Sequence, residues 1–397
     1  MLITRHLSRS LRCRYELSRE SVGRLPDSID LRDFVMAIEK RQGAAGACPH
    51  NGMLLLQHEQ DRYETYRSLT PWRHDTELDC ICVFDAELIS AIFRSDAFHV
   101  IDYRAAYQRI MERTGIELGA ILNALSHIPL ANEGGAHKQL RNDIAAVLGV
   151  GLRMHRTEIT DAVGAAVAKA FRPGRRVDLV DDVFVPAYKA VFGLVFGIDH
   201  ARIETDPMIS QIFDRTISLN RRKKMQSAIT ALGASLDRHS EEGAIDRNLA
   251  VALTILGHDA MIGSLSLSAW HVFRSNDGAM SSGIEFPDLL PATSVPYIER
   301  VAAAETTVGD LTVDKGQRVR LYMDAASGRA ADGDDPDLFF GRGRHLCLGK
   351  PITLGVWQAF KSAVATLDRP IFAEELNVRS KDYVFTYPEH AWIRIAD

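Results

Sequence analysis

The chain has 397 residues, of which 46% are hydrophobic and 25% are charged, as is typical of a soluble globular protein. A formal net charge of −5 provides no global basic field, which argues against nucleic acid as a main partner. Five irregularly spaced cysteines argue against a disulfide framework and for a reducing, cytoplasmic location. No apolar run has the length of a bilayer span, so no membrane insertion is predicted.

The N-terminal part of the chain is weakly patterned and polar. Residues 1–52 are therefore predicted to be an N-terminal extension, and 53–397 a single folded domain, because no Pro/Gly/Ser-rich linker divides the remainder. A short helical pattern at 63–69 is followed by a strand-like run at 79–84 and a helix at 87–93.

Helical periodicity dominates the middle of the chain, in segments at 136–148, 158–171, 180–197, 206–219 and 225–238. The longest apolar helical segment, 247–273, is predicted to be a central helix buried on most sides. Short β-type runs with turns occupy 301–322, and a last helix is predicted at 353–367. The fold class is therefore mainly α with small β-sheets.

Cys80 and Cys82 form a C-x-C pair in an apolar stretch. They are predicted to be buried as small hydrophobes on opposite faces of a strand, and not to form a joint metal site.

A ten-residue segment, FGRGRHLCLG, places Cys347 between glycines immediately before an apolar helix. Gly343 and Gly349 let the backbone turn tightly and approach a planar ligand, and N–H groups at the helix start can stabilise a thiolate. Phe340 can shield the sulfur from water, and His345 can contact an anionic edge. The alternative is a buried cysteine at a helix start beside a Gly-rich turn.

This spacing resembles the heme-binding loop of the cytochrome P-450 family, F-x-x-G-x-x-x-C-x-G, at every fixed position. The resemblance implies a cytochrome P-450-like fold and a heme b whose iron is bound by Cys347. H-x-x-x-R at 137–141 and P-x-x-x-R at 296–300 resemble two further family motifs. They imply that the heme propionates contact a basic set of side chains, which comprises His137, Arg141, Arg300 and His345.

The central helix departs from the family's A-G-x-[DE]-T pattern. Gly257 and Asp259 match it, but Ala260 replaces the threonine that helps to deliver protons in the family. Proton delivery would then need a substrate hydroxyl, an ordered water or Asp259 itself, and Ser264, one turn on, could contribute. Asp259, Ala260 and Ser264 are therefore the candidate catalytic positions.

The family's E-x-x-R helix is also altered. Residues 285–288 read Glu-Phe-Pro-Asp, so Asp288 replaces the arginine and Pro287 opposes a regular helix. The chain at 324–340 is shorter than the family's loop before the cysteine. These changes lie where redox partners of the family dock.

The resemblance implies a heme-dependent monooxygenase or oxidase, an atypical oxidoreductase, acting on a small or medium apolar metabolite in specialised metabolism. Electrons would come from a ferredoxin and its reductase. One alternative is a heme-thiolate enzyme that uses peroxide, or catalyses dehydration or isomerisation, without a redox partner. A second is a non-catalytic protein of the same fold that binds or recruits other molecules.

Overall fold

The computed structural model describes residues 70–75, 78–214, 217–242, 244–323, 338–378 and 385–397. The predicted extension, its boundary at residue 52, the helical pattern at 63–69 and most of the loop at 324–340 lie outside these ranges.

The described residues are mainly α-helical. The α-helices are α1 Ala86–Arg94, α2 Tyr103–Thr114, α3 Gly119–Ser126, α4 Gly134–Met154, α5 Arg156–Ala170, α6 Val185–Phe196, α7 Leu219–Arg238, α8 Arg247–Ser275 and α9 Lys350–Ala365. Local signals set several of their ends. Asp85 and Asp246 cap the starts of α1 and α8 by accepting backbone N–H groups, and Gly197 ends α6 in the left-handed conformation.

The β-structure is small and peripheral to the helices. Its strands are β1 Trp72–Asp75, β2 Cys80–Val83, β3 Phe98–His99, β4 Arg176–Asp178, β5 Tyr297–Ala302, β6 Thr306–Val308, β7 Leu311–Val313, β8 Arg318–Tyr322, β9 Ile371–Val378 and β10 Pro388–Ile395. They form a five-stranded sheet in the order β1-β2-β8-β5-β3, a three-stranded sheet β4-β10-β9 and the hairpin β6-β7. The predicted sheet at 301–322 is thus confirmed and extends back to residue 297.

Two helix predictions need correction. The segment predicted as a helix at 206–219 forms a 3₁₀ helix at Pro207–Phe213, and Ser218 then caps α7. The segment predicted as a helix at 180–197 begins with a π-helical turn at Leu179–Phe184, and α6 follows this turn. Apolar periodicity alone does not distinguish these tighter or wider turns from an α-helix.

Helix α8 passes through the core, as predicted. Nearly all of its residues between Leu249 and Ala269 are buried. Among the described residues it is the helix whose length and apolar character would allow it to cross a membrane, and 72% of its most apolar 18 residues are buried inside the protein. Burial of this extent is typical of the central helix of a globular core.

Cys80 and Cys82 are both buried, as predicted, but the prediction of opposite faces is wrong. Side chains alternate along a strand, so residues i and i+2 share a face of β2. The two thiols accordingly interact with each other.

The connection between α8 and β5 contains no α-helix, and a single 3₁₀ turn, Ser281–Gly283, is its regular element. Pro287 therefore lies in irregular chain and not in a helix, as predicted. On one side, Trp357 Nε1 and Lys361 Nζ of α9 donate to the Pro287 carbonyl oxygen at 3.0 and 3.2 Å. On the other side, Ser268 of α8 bonds both the N–H and the carbonyl oxygen of Ala292. These bonds fix the connection in the absence of a helix.

Candidate functional site

The loop around Cys347 is held by its own backbone. The Cys347 N–H donates to the Phe340 carbonyl oxygen at 2.8 Å, and α9 begins three residues after the cysteine. Gly343 has φ of +62°, and a Cβ there would lie 2.6 Å from the Phe93 carbonyl oxygen. Only glycine satisfies both conditions, so the loop fits closely against α1.

The Cys347 side chain faces accessible space within a deep part of the fold. The residue is solvent-accessible, yet desolvation raises the pKa of its thiol, as occurs at the wall of an internal cleft. The backbone N–H groups of Gly349 and Lys350, together with Arg141, oppose this rise in pKa. A bound cation would therefore be needed to complete stabilisation of the thiolate.

Two histidines from different elements, one of them in the cysteine loop, lie in contact with each other. The rings of His137, on α4, and His345 lie 4.2 Å apart between centroids. Both Nε2 atoms are buried and have no hydrogen-bond partner within the described ranges. Burial is the largest cause that lowers the pKa of each ring. The pKa of His345 falls to about 2, because the nearby Arg300 and His137 lower it further.

Arginines complete a basic cluster around these rings. Arg300 is 3% exposed, and burial lowers the pKa of its guanidinium to about 10. Arg141 donates to the Leu346 carbonyl oxygen at 2.8 Å, which ties α4 to the cysteine loop. Glu133 approaches the cluster at longer range, with Oε1 at 3.7 Å from Arg344 Nη2 and 3.8 Å from His345 Nε2.

These features fit a heme. Buried Arg300 and the Nε2 atoms of His137 and His345 provide donors for anionic groups, since Glu133 lies 3.8 Å from His345 Nε2, beyond hydrogen-bond distance. Heme combines two propionates with an iron atom that a thiolate can bind. The predicted propionate contacts and the role of Cys347 as iron ligand remain proposals, but the donor set matches the group.

The candidate catalytic positions lie in the middle of α8. In a helix that is otherwise buried, Leu256, Gly257, His258 and Ala260 keep partial exposure, whereas Asp259 is buried. The Asp259 carboxylate and His258 Nδ1 lie 2.8 Å apart.

Ser264 lies one turn beyond Ala260 and contacts Ser294. Its Oγ accepts the Ser294 N–H at 2.9 Å, and the Ser294 hydroxyl donates to the carbonyl oxygens of Asp259 and Ala260 at 3.0 and 2.9 Å. These bonds hold the segment before β5 against α8. A catalytic role for Ser264 remains a proposal. In the structure, its hydroxyl oxygen accepts the backbone N–H of Ser294.

Sequence reasoning passed over three residues that the structure brings to the site. His258 occupies the variable position of a motif, and Glu133 and Ser294 lie outside any motif. For His258, the signal in the sequence was a histidine directly before Asp259, the acid of the motif. The other two depend on tertiary contacts.

Comparisons with known proteins agree with this architecture. A solved structure of P450BioI with a lipid-ligated acyl carrier protein matches with a TM-score of 0.66 and 18% identity, covering 86% of this chain and 99% of that one. CalO2 matches with a TM-score of 0.68 and 17% identity, covering 86% and 97%. A thermophilic cytochrome P450 from Sulfolobus tokodaii gives 0.61 and 17%, covering 84% and 99%.

The chain therefore has the cytochrome P450 fold, and the resemblance indicated by the cysteine loop is confirmed at the level of the fold. Among curated proteins, nocardicin C N-oxygenase of Nocardia uniformis subsp. tsuyamanensis is 22% identical over 335 residues, which cover 72% of this chain and 82% of that protein. No family model matches the sequence.

Proposed function

We propose that the protein is a cytoplasmic heme-thiolate monooxygenase or oxidase that acts on a small or medium apolar metabolite in specialised metabolism. The observation that carries the proposal is the buried basic cluster of Arg300, His137 and His345 beside the accessible thiol of Cys347. A non-catalytic protein would have no use for buried donor groups and a buried cation gathered beside a thiol in this way. The name of the curated relative, an N-oxygenase, supports the oxygenase class.

The residues of the chain would have two roles, which are to hold the heme and to transfer protons. Bound heme b supplies the redox chemistry of its iron, with Cys347 donating electron density from one side. Arg141, Arg300, His137 and His345 orient it by its carboxylates. On the α8 side, Ala260 has no hydroxyl, so a proton would have to be handed on by a substrate hydroxyl, by an ordered water or by Asp259.

The decisive experiment is the absorption spectrum of the reduced, carbon monoxide-bound protein. We expect the red-shifted band that thiolate-ligated heme gives, and its loss in Cys347→Ala. A matched control is Cys82→Ala, which removes a buried thiol away from the loop and should leave the band in place. If Cys347→Ala keeps the pigment and spectrum of the parent, the ligand assignment is wrong. Protein that binds no heme despite adequate supply would instead favour the non-catalytic alternative.

A second candidate keeps the heme but dispenses with electron partners. It is favoured by Ala260 and by the non-helical chain around Asp288, where the family carries a helix on the side at which redox proteins dock. Turnover with hydrogen peroxide, and none with a ferredoxin and its reductase, would support a peroxide-dependent or isomerising enzyme. Turnover with the ferredoxin system would support the monooxygenase.

A further inference from the structure

An acidic side chain, Glu133, lies beside the basic cluster at the start of α4. Its Oε1 accepts the Val100 N–H at 2.8 Å. Arg344 is held on the same short stretch of backbone, because its Nη2 donates to the Phe98 carbonyl oxygen at 2.7 Å. Glu133 Oε1 then lies 3.7 Å from Arg344 Nη2 and 3.8 Å from His345 Nε2. The carboxylate is therefore close to both donors without forming a hydrogen bond to either.

The negative charge of Glu133 also acts on more deeply buried members of the cluster. Burial is the largest cause that lowers the pKa of Arg300 and of His137, and Glu133 opposes the lowering in both. Arg300 and His137 are buried, and the side chain of Glu133 is itself mostly buried. Charges in such positions are screened by salt much less than exposed charges are. Glu133 thus supplies part of the negative charge that balances the cluster in the heme-free protein.

The local contacts of Glu133 do not require its charge. An amide oxygen accepts a backbone N–H as a carboxylate does, so glutamine would keep the bond to Val100. Glu133 occupies the N-cap position of α4, but its side chain accepts no N–H from the first turn of that helix. The local benefit that remains is attraction to the helix dipole, which any acid at the start of a helix shares. The presence of a charge at this particular place therefore points to the basic cluster.

We propose that Glu133 is a built-in counter-anion, which balances the basic cluster in the heme-free protein and repels the propionates of bound heme. The propionates would use the same donors and the same buried cation, Arg300. Removal of the charge would destabilise the heme-free protein and relieve the loaded one, so both effects would strengthen heme binding. Glu133 acts through the cluster and is a positioning residue that weakens heme retention. The inference rests on the heme site of the proposed function.

The sign of the effect on heme loss tests the proposal. Glu133→Gln keeps the size and the hydrogen-bond acceptor of the side chain but removes its charge. Transfer of heme to an apoprotein acceptor should be about tenfold slower from this variant than from the parent. A purely structural role predicts equal or faster loss, because a disturbed site holds heme less well. Equal or faster loss would therefore overturn the proposal.

The matched control separates the cluster from the helix dipole. Glu158→Gln removes an exposed acid from the first turn of α5 and should leave the rate of heme loss unchanged. If Glu158→Gln slows heme loss as much as Glu133→Gln does, the effect belongs to helix dipoles in general and the proposal is wrong.

The reduction potential of the bound heme is a second readout, and it responds to charge. Reduction adds an electron, so a nearby negative charge opposes it, and net charge is one of the factors that set such potentials. Glu133→Gln should raise the potential, whereas Glu133→Asp, which keeps the charge, should stay near the parent. An unchanged potential in Glu133→Gln would contradict the electrostatic role.

The heme-free protein provides a test that does not depend on the proposed function. In urea titrations, Glu133→Gln should raise the unfolding equilibrium constant about fivefold in the parent, and by less when Arg300 is already replaced by methionine. Equal changes in the two backgrounds would show that Glu133 does not balance Arg300, and would contradict this inference alone. A parent that binds no heme would instead contradict the proposed function.

Discussion

At the scale of single residues, the most informative position is Ala260. A threonine there would restore a hydroxyl beside Asp259 and within reach of the cleft, since Ala260 is partly exposed. With a surrogate ferredoxin and its reductase, we expect Ala260→Thr to lower the fraction of electrons lost as hydrogen peroxide by about tenfold. Ala269, on the same helix but fully buried, provides the control substitution Ala269→Ser. An unchanged peroxide fraction in Ala260→Thr would show that proton handling does not limit coupling.

His200 makes the stability of the protein depend on pH. Burial lowers its pKa from 6.5 to about 4, with a further contribution from Lys189, so the folded state holds the ring neutral. Below pH 6.5 the unfolded chain binds a proton that the folded chain does not, and stability falls until the pH reaches the folded pKa. The full loss in the free energy of unfolding from this ring is about 3 kcal/mol.

We therefore expect His200→Leu to remove most of this loss. Urea unfolding at about pH 8 and about pH 5 should show a smaller difference in free energy for the variant than for the parent. His99→Thr, at an exposed strand position, serves as the control and should keep the parent's difference. Equal pH dependence in His200→Leu and the parent would show that the ring is not held neutral.

At the scale of elements, the segment before β5 depends on close contact with α8. A Cβ at Gly263 would lie 2.7 Å from Ser294 Cβ, in the same place where Ser264 bonds the Ser294 backbone. Overpacking of this kind typically costs about 1–3 kcal/mol, because the segment must move or the rotamer must change.

Gly263→Ala should accordingly lower the free energy of unfolding by about 1–3 kcal/mol in urea titrations. The matched control is Gly355→Ala in α9, where an added Cβ meets nothing within 4 Å. That change should raise stability by about 0.5–1 kcal/mol, because alanine favours the helix. A Gly263→Ala variant as stable as the parent would mean that the segment is not pressed against α8.

At the scale of the whole molecule, the basic cluster couples heme binding to folding. Arg300 is buried without a carboxylate at salt-bridge distance in the described residues, so the heme-free protein bears the cost of a cation that Glu133 compensates only at longer range. Any ligand that binds only the folded state stabilises it by mass action. Heme should therefore raise the unfolding temperature, and part of that increase should depend on Arg300.

Arg300→Met should have opposite effects in the two forms. We expect the heme-free variant to be about 1–4 kcal/mol more stable than the heme-free parent, because a buried charge is replaced by an apolar side chain. The loaded variant should lose heme faster, as measured by transfer to an apoprotein acceptor. Arg176→Met, at an exposed surface ion pair with Glu374, is the control and should change neither quantity by much. Slower or unchanged heme loss would exclude Arg300 as a propionate ligand.

The sequence by itself determined much of this protein. Apolar periodicity located most of the helices, because a helix with one buried face repeats its apolar residues every three to four positions. The length of an apolar run located α8, which is buried on most sides. The motif around Cys347 indicated the fold through its resemblance to the heme-binding loop of the cytochrome P-450 family. Within it, Gly343 has a left-handed backbone and a close contact with α1 that only glycine allows. Pro287 correctly predicted that no helix forms before β5.

Only the tertiary structure decided the remainder. The 3₁₀ helix at Pro207–Phe213 replaced a predicted α-helix, because its apolar pattern fits either geometry and packing selects between them. The contact between the rings of His137 and His345, the position of Glu133 beside them and the Ser264–Ser294 bonds join residues far apart in the chain. The contact between the rings of Tyr188 and His258 likewise exists only where α6 lies against α8. Such contacts depend on how elements pack, and no local pattern in the chain encodes their distances.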